Sequence, residues 1–287
     1  MEPLLFKNIV ALALAEDLSF GDRTTDSIFK DEVAGAEIVA KEAGVVAGLP
    51  VAKEVFFQLD QKIQFKARLL DGERVQPGDC LVELSGPAAS ILKGERVALN
   101  FLQRMSGIAT AAHDAVGKVS GRGVKIVDTR KTTPGLRLLE KYAVRVGGAE
   151  NHRFNLSDMI LIKDNHIAGA GSIREAVSRV RQRCGFTVKI EVETATLRDV
   201  QEALDCGVDI IMLDNMTLSQ MSQAVELIKG RALVEASGGV GKEQLEKVAE
   251  TGVDLISLGY LTHSVRILDL SLNLHTLKTN PPEKEGK

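Results

Sequence analysis

Val124-Lys125-Ile126-Val127-Asp128-Thr129-Arg130-Lys131-Thr132-Thr133-Pro134-Gly135 begins as an apolar run and ends as turn chemistry. Val124, Ile126 and Val127 predict a short buried strand, and the residues after them hold adjacent cations but no apolar side chain. A helical interval follows from Leu136 to Val146 and stops at Gly147 and Gly148, where a left-handed cap costs little. His152 and Arg153 come next, so positive groups bracket one helix. Taken alone, such a loop could be a solvated turn rich in Lys and Arg. The remainder of the chain decides against that.

The same rhythm repeats downstream. Apolar strand-like runs recur at Met159–Ile162, Val188–Val192, Ile210–Leu213, Ala232–Val234 and Leu255–Leu258. Between them lie helical stripes such as Ile173, Ala176, Val177 and Val180, or Leu197, Val200 and Leu204. Repeated units with short, fully apolar strands imply a parallel sheet with helices outside. No Gly-rich dinucleotide fingerprint follows the first strand, so the count favours a closed barrel over an open doubly wound sheet.

Upstream the texture differs. Leu5, Ile9 and Leu12 fall at helical spacing and predict a first amphipathic helix, and the polar stretch Ser19 to Asp26 reads as a connecting loop. Short β-like runs separated by Asp71-Gly72 and Pro77-Gly78-Asp79, with a helix over Pro50–Leu59, make residues 34–84 a small α+β layer with an antiparallel sheet. The interval Ser90–Met105 is apolar around most of its circumference, so it is covered from two directions. Arg104 shares a side with Val97 and Phe101 and points toward solvent or a neighbouring body.

Composition narrows the class. With 287 residues and 44% hydrophobic content, the chain has ample material for a core. A net charge of −3 argues against a sequence-blind nucleic-acid binder, so cation clusters here serve something small. Cys80, Cys184 and Cys206 are widely spaced and form no CxxC pair, as expected of thiols in a reducing cytoplasm. The apolar run Ile9–Ala15 is too short to span a membrane and lacks a basic leader.

In βα barrels the C-terminal strand ends carry the chemistry. Here they carry Thr129, Arg130 and Lys131, then Lys163 to His166, then Glu191 and Glu193. Asp214 with Asn215, Ser237-Gly238-Gly239, and Ser257 with Gly259 complete the set. Cations come early, acids in the middle and small residues last. Small residues expose backbone N–H groups to a phosphate. Glu193 and Asp214 are oxygen ligands suited to Mg²⁺ or to sugar hydroxyls, and Arg130, Arg153 and Lys163 suit an anion. A ligand with a phosphate, a polyol and further anionic groups fits.

These residues resemble a known family. Asp128 to Gly135, Gly147-Gly148, Asn151-His152-Arg153 and Leu161-Ile162-Lys163-Asp164-Asn165-His166 look like nicotinate-nucleotide pyrophosphorylase (carboxylating), also called quinolinate phosphoribosyltransferase. Glu16-Asp17, Gly21-Asp22, Asn100 to Gly107, Leu213-Asp214-Asn215, Glu235 to Gly239 and Gly259 to Ser264 support it, over a span reaching about Arg266. Gly239 stands where many members carry Asn. The resemblance implies an α/β fold of type II phosphoribosyltransferase architecture, an incomplete (β/α) barrel over 107–266 with an N-terminal α+β sandwich domain over 1–106 joined by 267–287. It implies that quinolinate and phosphoribosyl pyrophosphate give nicotinate mononucleotide, pyrophosphate and CO₂ with Mg²⁺ in NAD synthesis, in a cytoplasmic homodimer. Arg130, His152, Arg153 and Lys163 then correspond to the quinolinate pocket, with Arg104 donated across the dimer. Lys131, Glu193, Asp214, Ser237, Gly238, Gly259 and His263 correspond to the phosphoribosyl pyrophosphate and metal side, with Thr129, Gly239 and Ser257 beside them. Lys131, Lys163, Glu193 and Asp214 are the catalytic candidates, and Glu193 and Asp214 the metal ligands.

Three other readings compete. Lys163 near Asp164 and His166 could serve a Schiff-base aldolase, though that leaves Arg130 and Arg153 only partly used. A related phosphoribosyltransferase could act on nicotinate or another aromatic acid, with more arginines than one carboxylate needs. A non-catalytic phosphate-binding module leaves Glu193 and Asp214 without a task.

Overall fold

Helix α1, Lys7–Leu18, turns Val10 and Leu14 inward together with Phe6, the residue before it. Leu5 and Leu12 are exposed, so the stripe expected from spacing lies on the wrong face. Alanines at 11, 13 and 15 make this helix almost equally apolar all round, and packing chooses what spacing leaves open. The polar stretch after it is not all loop. Helix α2, Arg23–Ile28, starts at Asp22, whose carboxylate accepts the N–H groups of Thr24 and Thr25 at 3.1 and 2.9 Å.

The computed structural model describes residues 2–276, which fall into two units. The first runs to Thr110 and resumes at Arg266. It contains β1 (Val33–Ala40), β2 (Gly44–Val45), α3 (Leu49–Leu59), β3 (Gln64–Ala67), β4 (Arg74–Val75), β5 (Cys80–Pro87) and the start of α4 (Ala88–Lys118). The C-terminal strand Leu270–Thr276, β1, β5 and β3 lie side by side in that order, all pairs antiparallel. Helix α4 is 31 residues long and runs straight through Gly107. A Cβ there would sit 2.2 Å from the carbonyl oxygen of Arg266, so glycine admits the returning chain despite costing a helix about 1 kcal/mol. Gln103 holds that return, its Nε2 donating to Leu270 and its carbonyl accepting from Leu268. Ile91, Val97, Ala98, Phe101, Leu102 and Met105 are all buried, as a helix covered from two directions requires.

The second unit, Ala111–Val265, alternates strands and helices. In order these are β6 (Lys125–Val127), α5 (Arg137–Val146), β7 (Ile160–Ile162), α6 (Asp164–Ala170) and α7 (Ile173–Arg183). Then come β8 (Ile190–Thr194), α8 (Leu197–Asp205), β9 (Ile210–Asp214), α9 (Leu218–Ile228), β10 (Leu233–Ser237), α10 (Leu245–Ala249), β11 (Leu255–Ser257) and α11 (Tyr260–His263). Six parallel strands line up as β6-β11-β10-β9-β8-β7. The order is cyclic, but no ladder joins β6 to β7 among the described residues, so the barrel is incomplete and the closed form expected from the strand count is not reached. The cause is local. After α5 the chain lays Glu150 along the free edge of β6, donating to Ile126 at 2.9 Å and accepting from Asp128 at 3.2 Å. That edge is where β7 would have paired.

Candidate active site

The pleat sorts the strand residues. Glu193 lies level with Met212, Met212 with Glu235, and Asp214 with Ser237, so these side chains share one face. That face lines a cavity of about 620 Å³ with Thr129, Arg130, Lys131, His152, Arg153, Lys163, Asn215, Gly238, Gly239 and Ser257. Most residues expected in the site are therefore brought together. Arg104 belongs to the other unit, is half-buried, and is not among the lining residues. Gly259 and His263 stand just beyond. A Cβ on Gly259 would be 3.0 Å from the His263 ring and 3.2 Å from Lys131 Cδ, which places both beside Lys131.

One side of the cavity is cationic. Arg130 has a buried Nε without a partner, and its guanidinium has no ion-pair partner among the described residues. Arg153 donates from Nη1 to the Met159 carbonyl at 3.2 Å. Burial first, then the like charge of Arg130, holds Arg153 below its ordinary pKa, with Glu191 pulling the other way. The Arg130 and Arg153 side of the cavity thus carries cations that lack an ion-pair partner among the described residues. Lys163 is paired with Glu193, Nζ to Oε2 at 2.7 Å.

His152 is fixed through its backbone and Nδ1, and its Nε2 faces two acids. Its Nε2 is 3.1 Å from Glu191 and 3.3 Å from Glu235, both fully buried. Neither contact has hydrogen-bond geometry, so the carboxylate oxygens of both acids are buried without a formal partner. Burial alone opposes a charged ring, but the two acids outweigh it and lift the imidazole from 6.5 to about 10. A second proton would nevertheless turn the 2.8 Å contact from the Arg153 N–H to Nδ1 into two opposed donors. That backbone contact opposes the rise, and in the neutral ring it places the proton on Nε2, between the acids. It also counts against a metal at this cluster, because a ligating histidine donates from its second nitrogen and this one accepts. Burial raises Glu191 above the usual carboxylate range, and His152 opposes the rise.

The other side offers oxygen and open backbone. Asp214 Oδ2 accepts from Asn215 Nδ2 at 2.8 Å, and Asn215 adopts a φ of 56°, rare for any residue but glycine or asparagine. Its side chain fills the space a Cβ on Gly238 would need, 2.4 Å from Oδ1, which with a φ of 82° makes glycine obligatory there. Thr262 Oγ1 donates to the Lys131 carbonyl at 2.8 Å and ties α11 to the cation loop. Two half-buried carboxylates, Glu193 and Asp214, on one wall with room for phosphate oxygens match how Mg²⁺ is held, through one or two protein carboxylates plus substrate.

Sequence reasoning passed over Asp128, Lys141, Asn215 and Glu235 as working residues. Glu235 and Asn215 each lie in a quoted motif, and counting two residues back from Ser237 along the strand would have placed Glu235 inward. Nothing in the pattern signals that Lys141 is buried.

Comparison with known proteins agrees with this geometry. The models for the quinolinate phosphoribosyl transferase N-terminal and C-terminal domains match residues 22–106 and 108–273. The chain is 48% identical over 274 residues to a Bacillus subtilis protein named "Probable nicotinate-nucleotide pyrophosphorylase (carboxylating)", covering 96% of this chain and 95% of that one. It is 41% identical over 290 residues to the mitochondrial "Quinolinate phosphoribosyltransferase (decarboxylating) 2b" of Nicotiana tabacum, covering 94% and 82%. The crystal structure of NadC from Streptococcus pyogenes superposes with a TM-score of 0.93 at 45% identity, covering 97% of this chain and 99% of that one. With both domain models matched and relatives similar along almost the whole chain, this protein belongs to the quinolinate phosphoribosyl transferase family.

Proposed function

We propose that this enzyme transfers the phosphoribosyl group of phosphoribosyl pyrophosphate to quinolinate and releases pyrophosphate and CO₂, giving nicotinate mononucleotide for NAD synthesis. The observation that carries the reading is a single cavity with unpaired and crowded guanidinium groups on one side and acids with glycine turns on the other. Arg130 and Arg153 clamp the two ring carboxylates, which offset the mutual repulsion of the two guanidinium groups. Glu193 and Asp214 hold the ribose hydroxyls and Mg²⁺, which when bound would neutralise charge on the departing pyrophosphate. Ser237, Gly238, Gly239 and Gly259, with Lys131 and His263, receive phosphate oxygens.

Departure of pyrophosphate leaves an oxocarbenium-like ribose, so the residues act by placement and electrostatics, with no covalent enzyme intermediate. The ring nitrogen attacks the ribose C1 and becomes cationic. The C2–carboxylate bond then breaks, its electron pair stays on C2 where the adjacent cationic nitrogen stabilises it, and a proton from water bonds to that pair in place of CO₂. Lys163 serves as a charged partner. Its ammonium is already bound to Glu193 at 2.7 Å, whereas a Schiff-base nucleophile would have to be a free amine, which disfavours the aldolase reading.

The protein acts as a cytoplasmic homodimer, with Arg104 of each subunit completing the partner's dicarboxylate pocket. The deciding assay is quinolinate-dependent release of CO₂ and pyrophosphate by purified protein, and turnover of nicotinate but not quinolinate would overturn the assignment. Arg104→Ala and Lys163→Ala test the shared site. Each should be nearly inactive alone, and subunit exchange should restore up to about a quarter of wild-type activity, since half the dimers are mixed and each has one whole site. Exchange shown by native mass spectrometry without recovery would return Arg104 to its own subunit.

A further inference from the structure

Asp128 and Lys141 form an ion pair deep in the second unit, their side chains 0% and 3% exposed. Burial pushes the carboxyl up and the ammonium down, and their mutual attraction only opposes those shifts. Each charge is therefore costly where it lies, so stability does not account for the pair. What the pair touches is specific. Asp128 Oδ1 accepts the backbone N–H of His152 at 2.8 Å, and Lys141 Nζ donates to the carbonyl of the same residue at 3.0 Å. Both peptide groups of His152 are thus pinned by one ion pair. Asn151 completes the frame, donating from Nδ2 to Asp128 Oδ2 at 2.7 Å and to the Lys141 carbonyl at 2.9 Å.

The consequence travels two residues. With the His152 backbone fixed, its ring lies between Glu191 and Glu235, and Nδ1 receives the N–H of Arg153. The direction in which Arg153 leaves the chain is set there. Residues 150–153 belong to no strand of their own, and among the described residues Glu150 meets β6 through an isolated bridge and an ion pair to Lys125 at 2.9 Å, so the sheet alone does not fix His152 and Arg153. We infer that Asp128 and Lys141 are positioning residues for the dicarboxylate end of the cavity, a clamp that aims His152 and Arg153; Asp128 lies in the cavity wall but its side chain is fully buried. The inference rests on the quinolinate reading proposed above and says which buried groups make that pocket selective.

The test removes both charges together, because a single change would strand the other ion. Asp128→Asn/Lys141→Met is compared with wild type by thermal melting and by steady-state kinetics in each substrate. The expected result is a folded protein whose KM for quinolinate rises about tenfold while its KM for phosphoribosyl pyrophosphate stays within about twofold, the split that misaimed side chains at one end produce. A merely structural pair would leave both KM values unchanged or raise both alike, and either outcome overturns the inference. If the double variant does not fold, Asn151→Ala removes one strut and leaves the ion pair intact. It must then show the same one-sided rise, and an even effect or none overturns the inference. Failure of the functional reading is seen separately, as wild-type protein that does not turn over quinolinate at all.

Discussion

Replacing Arg130 with methionine should stabilise the empty protein and cripple the loaded one. Arg130 Nε is buried without a partner, and its charge presses on Arg153. A buried donor left unsatisfied costs about 1–3 kcal/mol, and methionine keeps an unbranched stem of similar reach. After allowing for lost packing, a gain of about 1 kcal/mol remains, a rise in melting temperature of about 2–4 °C. Quinolinate reverses the order. At a concentration of about a hundred times its Kd, the ligand stabilises wild type by about 2.7 kcal/mol. Losing a charge-assisted pair worth about 2 kcal/mol weakens binding about thirtyfold and cuts that stabilisation to about 1 kcal/mol. Thermal melts of both proteins, with and without quinolinate, should therefore cross. If Arg130→Met melts below wild type without ligand, or keeps the full ligand shift, then Arg130 is not an unsatisfied cation waiting for an anion.

Asp214→Asn should raise the KM for phosphoribosyl pyrophosphate and leave quinolinate affinity nearly intact in titrations; an equal loss of both would undo the division of the cavity. Asn215→Gly keeps the 56° φ but loses the amide that holds Asp214, so it should weaken the same KM at little cost in stability. Asn215→Ala should do so and also lower stability by about 1 kcal/mol through left-handed strain, a difference that paired melts will resolve. Asp22→Ala removes the cap of α2 and should cost about 1 kcal/mol at pH 7. Hydrogen bonds from Thr25, through its side chain and then its backbone, hold the Asp22 carboxyl below its ordinary 3.8. Its contribution is therefore present above about 3.8 and fades as pH falls through the lower folded value, so denaturation at pH 7 and near pH 2.5 should show the gap closing.

Strand ends were legible because their information is local and periodic. A short apolar run followed by Thr129-Arg130-Lys131 or Lys163-Asp164 announces both the strand and what leaves its end, and six such runs announce the parallel order. Properties that depend on a distant neighbour were not legible. Lys141 sits among charged and apolar residues of α5 in a pattern that any surface helix could show, and only Asp128 makes its burial tolerable. Helix α1 had several faces of similar apolarity and hid which one packs. The stretch holding Asp22 was read as a connecting loop, yet Asp22 begins a helix.

The least legible feature, the missing ladder between β6 and β7, also bears most directly on the site. A barrel closed there would pair β7 along the edge of β6, as the other strands pair. That edge instead takes up Glu150, and the chain just after it brings His152 and Arg153 to the cavity beside Arg130. The segment cannot lie there and leave the edge free for β7, since the Asp128 N–H is already given to Glu150 and the Glu150 backbone occupies the space beside the Ile126 carbonyl. The open seam and the cationic end of the cavity therefore have one cause. A chain that closed the barrel would have to hold a dicarboxylate with fewer cations, or bring them from elsewhere.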